Sequence, residues 1–182
     1  MHYKHTLLAL ALGAGFLGAA QAATYSFSGN TTGAPTYNRL IETLDIVSPV
    51  GTNVNHESLI FSVDASGDYS FASMASGGWD NFTFLYSPSL NPAAPLVGAL
   101  VGNDDLGGLG GPGGNSGFTF GLTAGTRYAF VTTGFSEIDF GAYANSISGP
   151  GDIVPIPEPQ TYALMIAGLG ALMLMRRRSS RR

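Results

Sequence analysis

The sequence predicts an all-β protein: a single antiparallel β-sandwich or jelly roll, flanked by an N-terminal signal helix and a short C-terminal transmembrane helix. Three observations carry that expectation. Between residues 23 and 151, apolar side chains alternate over short runs, and no 3.6-residue periodicity competes with them. Gly, Pro, Asn and Ser bound those runs, as turn formers do, and the 182 residues include 26 Gly and 10 Pro. The two ends differ in kind, being continuous apolar stretches set beside cationic residues.

Nine runs fit strands: residues 24–28, 40–46, 57–63, 68–73, 81–86, 96–101, 117–122, 126–133 and 140–147. Many short strands between turn signals suit two packed antiparallel sheets, whereas a parallel sheet would need helical crossovers. Within residues 68–73, Tyr69, Phe71 and Ser73 share a face. Phe82, Phe84 and Tyr86 share another. Both rows are expected in the core.

Composition narrows the function classes. Charged residues make up 11% of the chain, against about 25% in an ordinary soluble domain. Hydrophobic residues make up 45%, enough for a core. With no cysteine there is no disulfide framework, thiolate zinc site or cysteine nucleophile. The net charge of −4 averages unlike pieces. Residues 1–22 carry +1, residues 23–156 carry −9 from two arginines against eleven acids, and residues 157–182 carry +4. An acidic body without lysine argues against nucleic acid as a partner.

The start, Met1-His2-Tyr3-Lys4-His5, leads into an apolar run and then Ala20-Gln21-Ala22. A cationic start, a short apolar stretch and an A-x-A site describe a secretory signal peptide over residues 1–22. Signal peptidase would cut after Ala22 and leave Ala23 as the new N-terminus. A G-x-G-x-x-G at Gly13, Gly15 and Gly18 lies inside this segment, and another at Gly108, Gly110 and Gly113 holds Pro112. Neither follows a strand and opens a helix, and Lys4 is the only lysine, so no phosphate-binding loop is expected.

The body is expected over residues 23–152, followed by a Pro-rich spacer over 153–161. Residues 162–175 are an unbroken apolar and glycine run that would rise about 21 Å as a helix, short of the roughly 30 Å hydrocarbon core. Residues 176–182 form an Arg-rich tail, which the positive-inside rule keeps cytoplasmic. Taken alone, this is also the pattern of a single-span anchor.

Pro157-Glu158-Pro159, the short apolar helix and Arg176-Arg177-Arg178 together resemble the PEP-CTERM sorting signal of Gram-negative bacteria, also catalogued as an ice-binding-protein C-terminal domain. The resemblance covers about 25 residues. It implies that an exosortase, a membrane-embedded transpeptidase-like enzyme, recognises Pro157, Glu158 and Pro159 and removes the tail, with Arg176, Arg177 and Arg178 as the stop signal. It further implies transient residence in the inner membrane, then the cell surface or extracellular matrix, in company with exopolysaccharide and biofilm. The ice-binding label implies no ice binding here, because Thr31-Thr32 and Thr132-Thr133 are adjacent pairs that point to opposite faces.

The middle segment resembles, more loosely, the bacterial pre-peptidase C-terminal type of β-sandwich. The matching stretches are Gly67-Asp68-Tyr69-Ser70-Phe71, Asp80-Asn81-Phe82-Thr83-Phe84-Leu85-Tyr86, Gly102-Asn103-Asp104-Asp105 and Leu122-Thr123-Ala124-Gly125-Thr126-Arg127-Tyr128. Domains of that type are non-catalytic accessory modules on secreted proteins.

Few residues suit chemistry. Adjacent carboxylates repel unless a turn or a cation relieves them. Asn103, Asp104 and Asp105, with Asp80 if the fold brings it near, are therefore either a solvated Asx-type turn or a calcium site built from oxygen ligands. Trp79 beside Asp80 is either a sugar-stacking ring or a core residue. After the signal is removed, His56 is the only histidine, and no G-x-S-x-G elbow accompanies it. The expectation is a non-enzymatic surface or matrix protein without a required cofactor. The alternatives are a calcium-dependent carbohydrate-binding module and a secreted hydrolase using His56 or a carboxylate pair.

Overall fold

The computed structural model describes residues 22–106 and 114–157, together with the isolated positions Ala167, Leu169 and Met173. Ten strands follow in chain order: β1 Ala23–Asn30, β2 Thr36–Tyr37, β3 Val54–Val63, β4 Gly67–Ala75, β5 Asn81–Tyr86, β6 Ala99–Asn103, β7 Asn115–Leu122, β8 Tyr128–Gly134, β9 Ala142–Gly149 and β10 Ile153–Pro155. They build two sheets, β1-β9-β4-β7 and β10-β3-β8-β5-β6, with β2 added beside β3. All of the pairings are antiparallel. The all-β, sandwich-like expectation therefore holds for the described residues.

Period-2 alternation assigns the faces. In β4, Tyr69, Phe71 and Ser73 are buried while Asp68, Ser70 and Met74 are exposed. Tyr69, Phe71 and Ile147 of the four-stranded sheet meet Phe61, Leu85 and Phe130 of the other, forming the main core. Phe71 lies 5.1 Å from Phe130 and 4.9 Å from Phe118, centroid to centroid. Each such aromatic removed from water contributes roughly 1.5–3 kcal/mol.

The six-stranded sheet is covered on its second face too, which explains why β5 and β8 are buried at every residue. There Ile60, Phe82, Phe84, Tyr86, Ala129 and Val131 form a second cluster with Leu40. The cover is made of loops rather than helices, and this corrects one expected strand. Residues 40–46 join no ladder: Leu40 forms only an isolated bridge with Val47 of the same loop. Leu44 N–H donates to the Ile41 carbonyl at 3.1 Å, Thr43 Oγ1 donates to Asp45 at 2.5 Å, and Leu44 has φ of 60°. The alternating apolar residues here pin a tight turn over the sheet, with Leu40 fully buried.

Other boundaries move too: β3 starts at Val54 rather than 57, and β9 spans Ala142–Gly149 rather than 140–147. β6 begins at Ala99 rather than 96 because Gly98 turns the chain at φ 79°, where a Cβ would stand 2.5 Å from the Ser87 carbonyl oxygen. The first three residues of the expected spacer form β10, since Ile153 is buried in the main core and pairs with Val63. A proline at the outer strand of a sheet costs no ladder bond when its nitrogen faces away, so Pro155 does not forbid this.

The signal segment lies outside the described residues except for Ala22, which is exposed. The tail from Glu158 onward also lies outside them, save Ala167, Leu169 and Met173, each helical. Among the described residues no helix is long and apolar enough to cross a membrane.

Candidate functional site

The expected acidic residues gather at one end of the six-stranded sheet, where β5 starts and β6 stops. Asp80 precedes Asn81, the first residue of β5, and Asp104 and Asp105 follow Asn103, the last of β6. Thr83 pairs with Asn103, so the register brings the three carboxylates close. Burial first, then the Asp80 and Asp105 charges, pushes the Asp104 carboxyl up to about 7. Asp80 is also raised, by burial and then by Asp139 and Asp105. Asp104 Oδ1 is shut off from solvent without a hydrogen-bond partner.

The four expected ligands are not equivalent. Asn103 is committed to structure: its Nδ2 donates to the Gly117 carbonyl at 2.7 Å, bridging the two sheets, and its Oδ1 accepts from Asp105 N–H at 3.1 Å. The second bond is the Asx-type turn. Asp104 N–H donates to Glu42 Oε1 at 3.0 Å, tying this loop to the covering turn. Among the described residues no three His, Asp or Glu side chains converge closely enough to hold a metal ion.

Three further residues belong to this end and were not anticipated. Asp139 accepts from Ser136 N–H at 3.0 Å and Asp80 N–H at 3.3 Å, so its carboxylate closes the β8–β9 turn over β5. Glu42 anchors the covering turn as described. Arg39 is the third and is 2% exposed. Its guanidinium donates to the carbonyls of Leu40 at 2.9 Å, Gly134 at 3.2 Å and Phe135 at 2.6 Å. It lies 4.3 Å from the Phe82 ring centroid and 4.8 Å from that of Phe135. Burial lowers its pKa, while Asp104 foremost and then Tyr37, Asp80 and Asp139 raise it. The only sequence cue was scarcity, Arg39 being one of two arginines in residues 23–156.

Trp79, the other expected ligand residue, is a core side chain instead. It is 7% exposed and donates its indole N–H to the Ala142 carbonyl at 3.1 Å. Gly114 passes so close to the Trp79 carbonyl that no Cβ fits there, and it has φ of 55°.

His56 lies elsewhere, on β3. Its ring meets the Tyr37 ring edge-on at 4.7 Å, its Nδ1 is buried without a partner, and burial lowers its pKa. Neighbouring Glu57 accepts from Tyr143 OH at 2.8 Å and Asn30 N–H at 3.1 Å. His56, Glu57 and Tyr143, with Phe27, Pro35 and Ser58, line an open cleft of about 410 Å³ along the β3 edge.

The outer face of the four-stranded sheet is a surface of another kind. Thr24, Ser26, Ser28, Ser70, Ala144 and Thr119 are all small, uncharged and exposed. Thr24 and Ser148 hydroxyls meet at 2.9 Å across β1 and β9, and Ser70 and Thr119 at 3.2 Å across β4 and β7. Compared with known protein families and curated proteins, the chain matches none.

Proposed function

We propose that the chain is the precursor of an exported, non-enzymatic cell-surface or matrix protein of a Gram-negative bacterium. Signal peptidase processes one end, and an exosortase acting at Pro157-Glu158-Pro159 processes the other. One observation carries the reading: the folded body fills the interval between the two processing sites. Ala23, the residue after the Ala20-Gln21-Ala22 site, is the first residue of β1 and pairs with Gly149. At the other end Ile156 N–H donates to the Ile60 carbonyl at 2.8 Å, one residue before Pro157. Cuts placed there remove both ends without breaking a strand. The Arg176-Arg177-Arg178 stop and the transient inner-membrane stage belong to the same proposal.

The body left by those cuts carries about −9, so an anionic polymer would meet it only through bridging cations. The hydroxyl-rich face of the four-stranded sheet, interrupted by the Asp68 carboxylate, offers exopolysaccharide a surface of small polar groups. Replacing Pro157-Glu158-Pro159 with three alanines should leave an uncleaved, Arg-tailed form in the inner membrane. Processing unchanged from the wild type sinks the proposal.

A second reading, a calcium-dependent carbohydrate-binding module, rests on Asp104. A carboxyl held toward its proton by burial first and then by Asp80 and Asp105 would exchange that proton for a cation if the loop closed around it. Asp80, Asp104 and Asp105 are the ligands in this reading, and Asn103 Oδ1 would have to leave its turn to join them.

A further inference from the structure

The cleft beside His56 opens between the two sheets. Its volume, about 410 Å³, falls within the roughly 300–1,000 Å³ of small-ligand sites. β1 contributes Phe27 and β9 contributes Tyr143, while β3 contributes Glu57 and Ser58. β2 pairs with β3 at Val54 and Asn55, and β10 pairs with it from Phe61 to Val63. Glu57 and Ser58 lie between those two stretches.

Glu57 is the cleft's one carboxylate, and the opposite sheet fixes its position. Thr31 N–H donates to the Gly141 carbonyl in register with the β1–β9 pairs, so even-numbered residues of β1 turn their N–H outward. Asn30 N–H accordingly leaves its own sheet and donates to Glu57 Oε2 at 3.1 Å. Tyr143 OH donates to the same oxygen at 2.8 Å. Burial first, and then Glu57, raises the pKa of that phenol, which keeps it a donor. Gly29 leaves the room, because a Cβ there would collide with both Tyr143 OH and Glu57 Oε2. Oε2 is thus doubly bound, whereas Oε1 has no hydrogen-bond partner among the described residues.

Carboxylates withdrawn from water are ordinarily paired with a cation. Glu57 is half-buried, and the body's two arginines are placed elsewhere. Arg39 is bound to the carbonyls of Leu40, Gly134 and Phe135, and Arg127 lies in the turn before β8. Burial lowers the pKa of His56, so its ring is uncharged at neutral pH. The cleft therefore offers a fixed negative charge, on a body whose net −9 draws cations toward it. The rest of its lining suits a ring with hydroxyls. Phe27, Pro35 and Leu59 give apolar surface, and Ser58 gives an exposed hydroxyl.

We infer that this cleft binds a protonated amino sugar, its ammonium on Glu57, its ring against Phe27 and Pro35, and a hydroxyl on Ser58. The ammonium supplies up to three donors to a site that lacks a cation of its own. The site rests on the cleft alone, and only exopolysaccharide as the source of the sugar rests on the sorting proposal. A polymer carrying free amines needs no bridging cation to meet this acidic body.

Calorimetric titration of the full chain tests this, in micelles of a detergent without a sugar headgroup. Salt at about 0.15 M screens the long-range attraction of the body. The probes are a short glucosamine oligosaccharide, its N-acetylated counterpart and an oligolysine of equal charge. The wild type should bind the first at least about tenfold more tightly than the other two. Glu57→Gln, which keeps an acceptor for Tyr143 and Asn30, should weaken that binding at least about tenfold. Ser58→Arg, at an exposed position, should abolish it by setting a cation beside Glu57, with the melting temperature unchanged. Binding that survives either substitution is attraction to the acidic surface alone and overturns the inference. So does equal binding of the N-acetylated sugar, of oligolysine, or no binding of any probe. None of these readouts involves tail removal, so the inference and the sorting proposal fail separately.

Discussion

Asn145, on the four-stranded sheet, donates its side-chain amide across the sandwich to the Thr132 hydroxyl at 2.8 Å. Asn81 does the same in the opposite direction, from the six-stranded sheet to Ser73 at 2.7 Å. All four residues are buried, so one end of the interior is polar while the other is aromatic. These bonds fix how the sheets lie on one another, which apolar contacts alone specify less sharply.

Removing half of such a pair strands the other half. Asn145→Ala should destabilise the mature body by about 2 kcal/mol, because the Thr132 hydroxyl stays buried without its partner. Asn145→Leu combined with Thr132→Val should cost less than the sum of the single changes. Urea unfolding of the four proteins checks this, and additivity would mean the pair contributes nothing as a pair.

Arg39 is held by three carbonyls and two rings, so its loss uncaps several groups at once. Arg39→Ala should cost about 3 kcal/mol through unpaired carbonyls and lost packing. Arg39→Lys should restore little of it, since an ammonium lacks the planar fork that reaches all three carbonyls. Thermal unfolding at constant pH reads both.

Asp104 titrates with a folded pKa of about 7, above the ordinary carboxylate range. The folded state therefore binds the proton more tightly than the unfolded chain. The group's contribution to stability is complete at acid pH and is lost as pH rises from about 4 through about 7. With the side chain partly exposed, solvent screening holds the loss to on the order of 1–2 kcal/mol. Asp104→Asn should flatten that slope and be the more stable protein at pH 8. Chemical denaturation across pH 4–8 decides the matter.

Calcium binding makes a separate forecast. At pH 8, calcium at about 1 mM, the range of extracellular modules, should raise the melting temperature of the wild type by a few degrees. Asp104→Ala with Asp105→Ala should abolish the rise. A wild type indifferent to calcium removes the carbohydrate-module reading.

Alternation was legible from the sequence because side chains in a strand have a strict period of two. Tyr69, Phe71, Phe82 and Phe84 therefore announced buried faces before any pairing was known. The Asn103–Asp105 turn was legible for a similar reason, since its bond spans only two residues. The stretch 40–46 misled because a turn pinned by apolar residues shows the same alternation as a strand. Arg39 was invisible, its partners Gly134 and Phe135 lying 95 and 96 residues away.

By itself the sequence determined the fold class, the acidic charge of the body and the two apolar ends, all properties of local pattern or composition. Only the tertiary structure decided that Trp79 is core, that Asp80 joins Asp104 beside a buried arginine, and that β10 and β2 lie along opposite ends of β3. Each of these depends on which strands become neighbours. Long-range pairing sets that order, and no local periodicity encodes it.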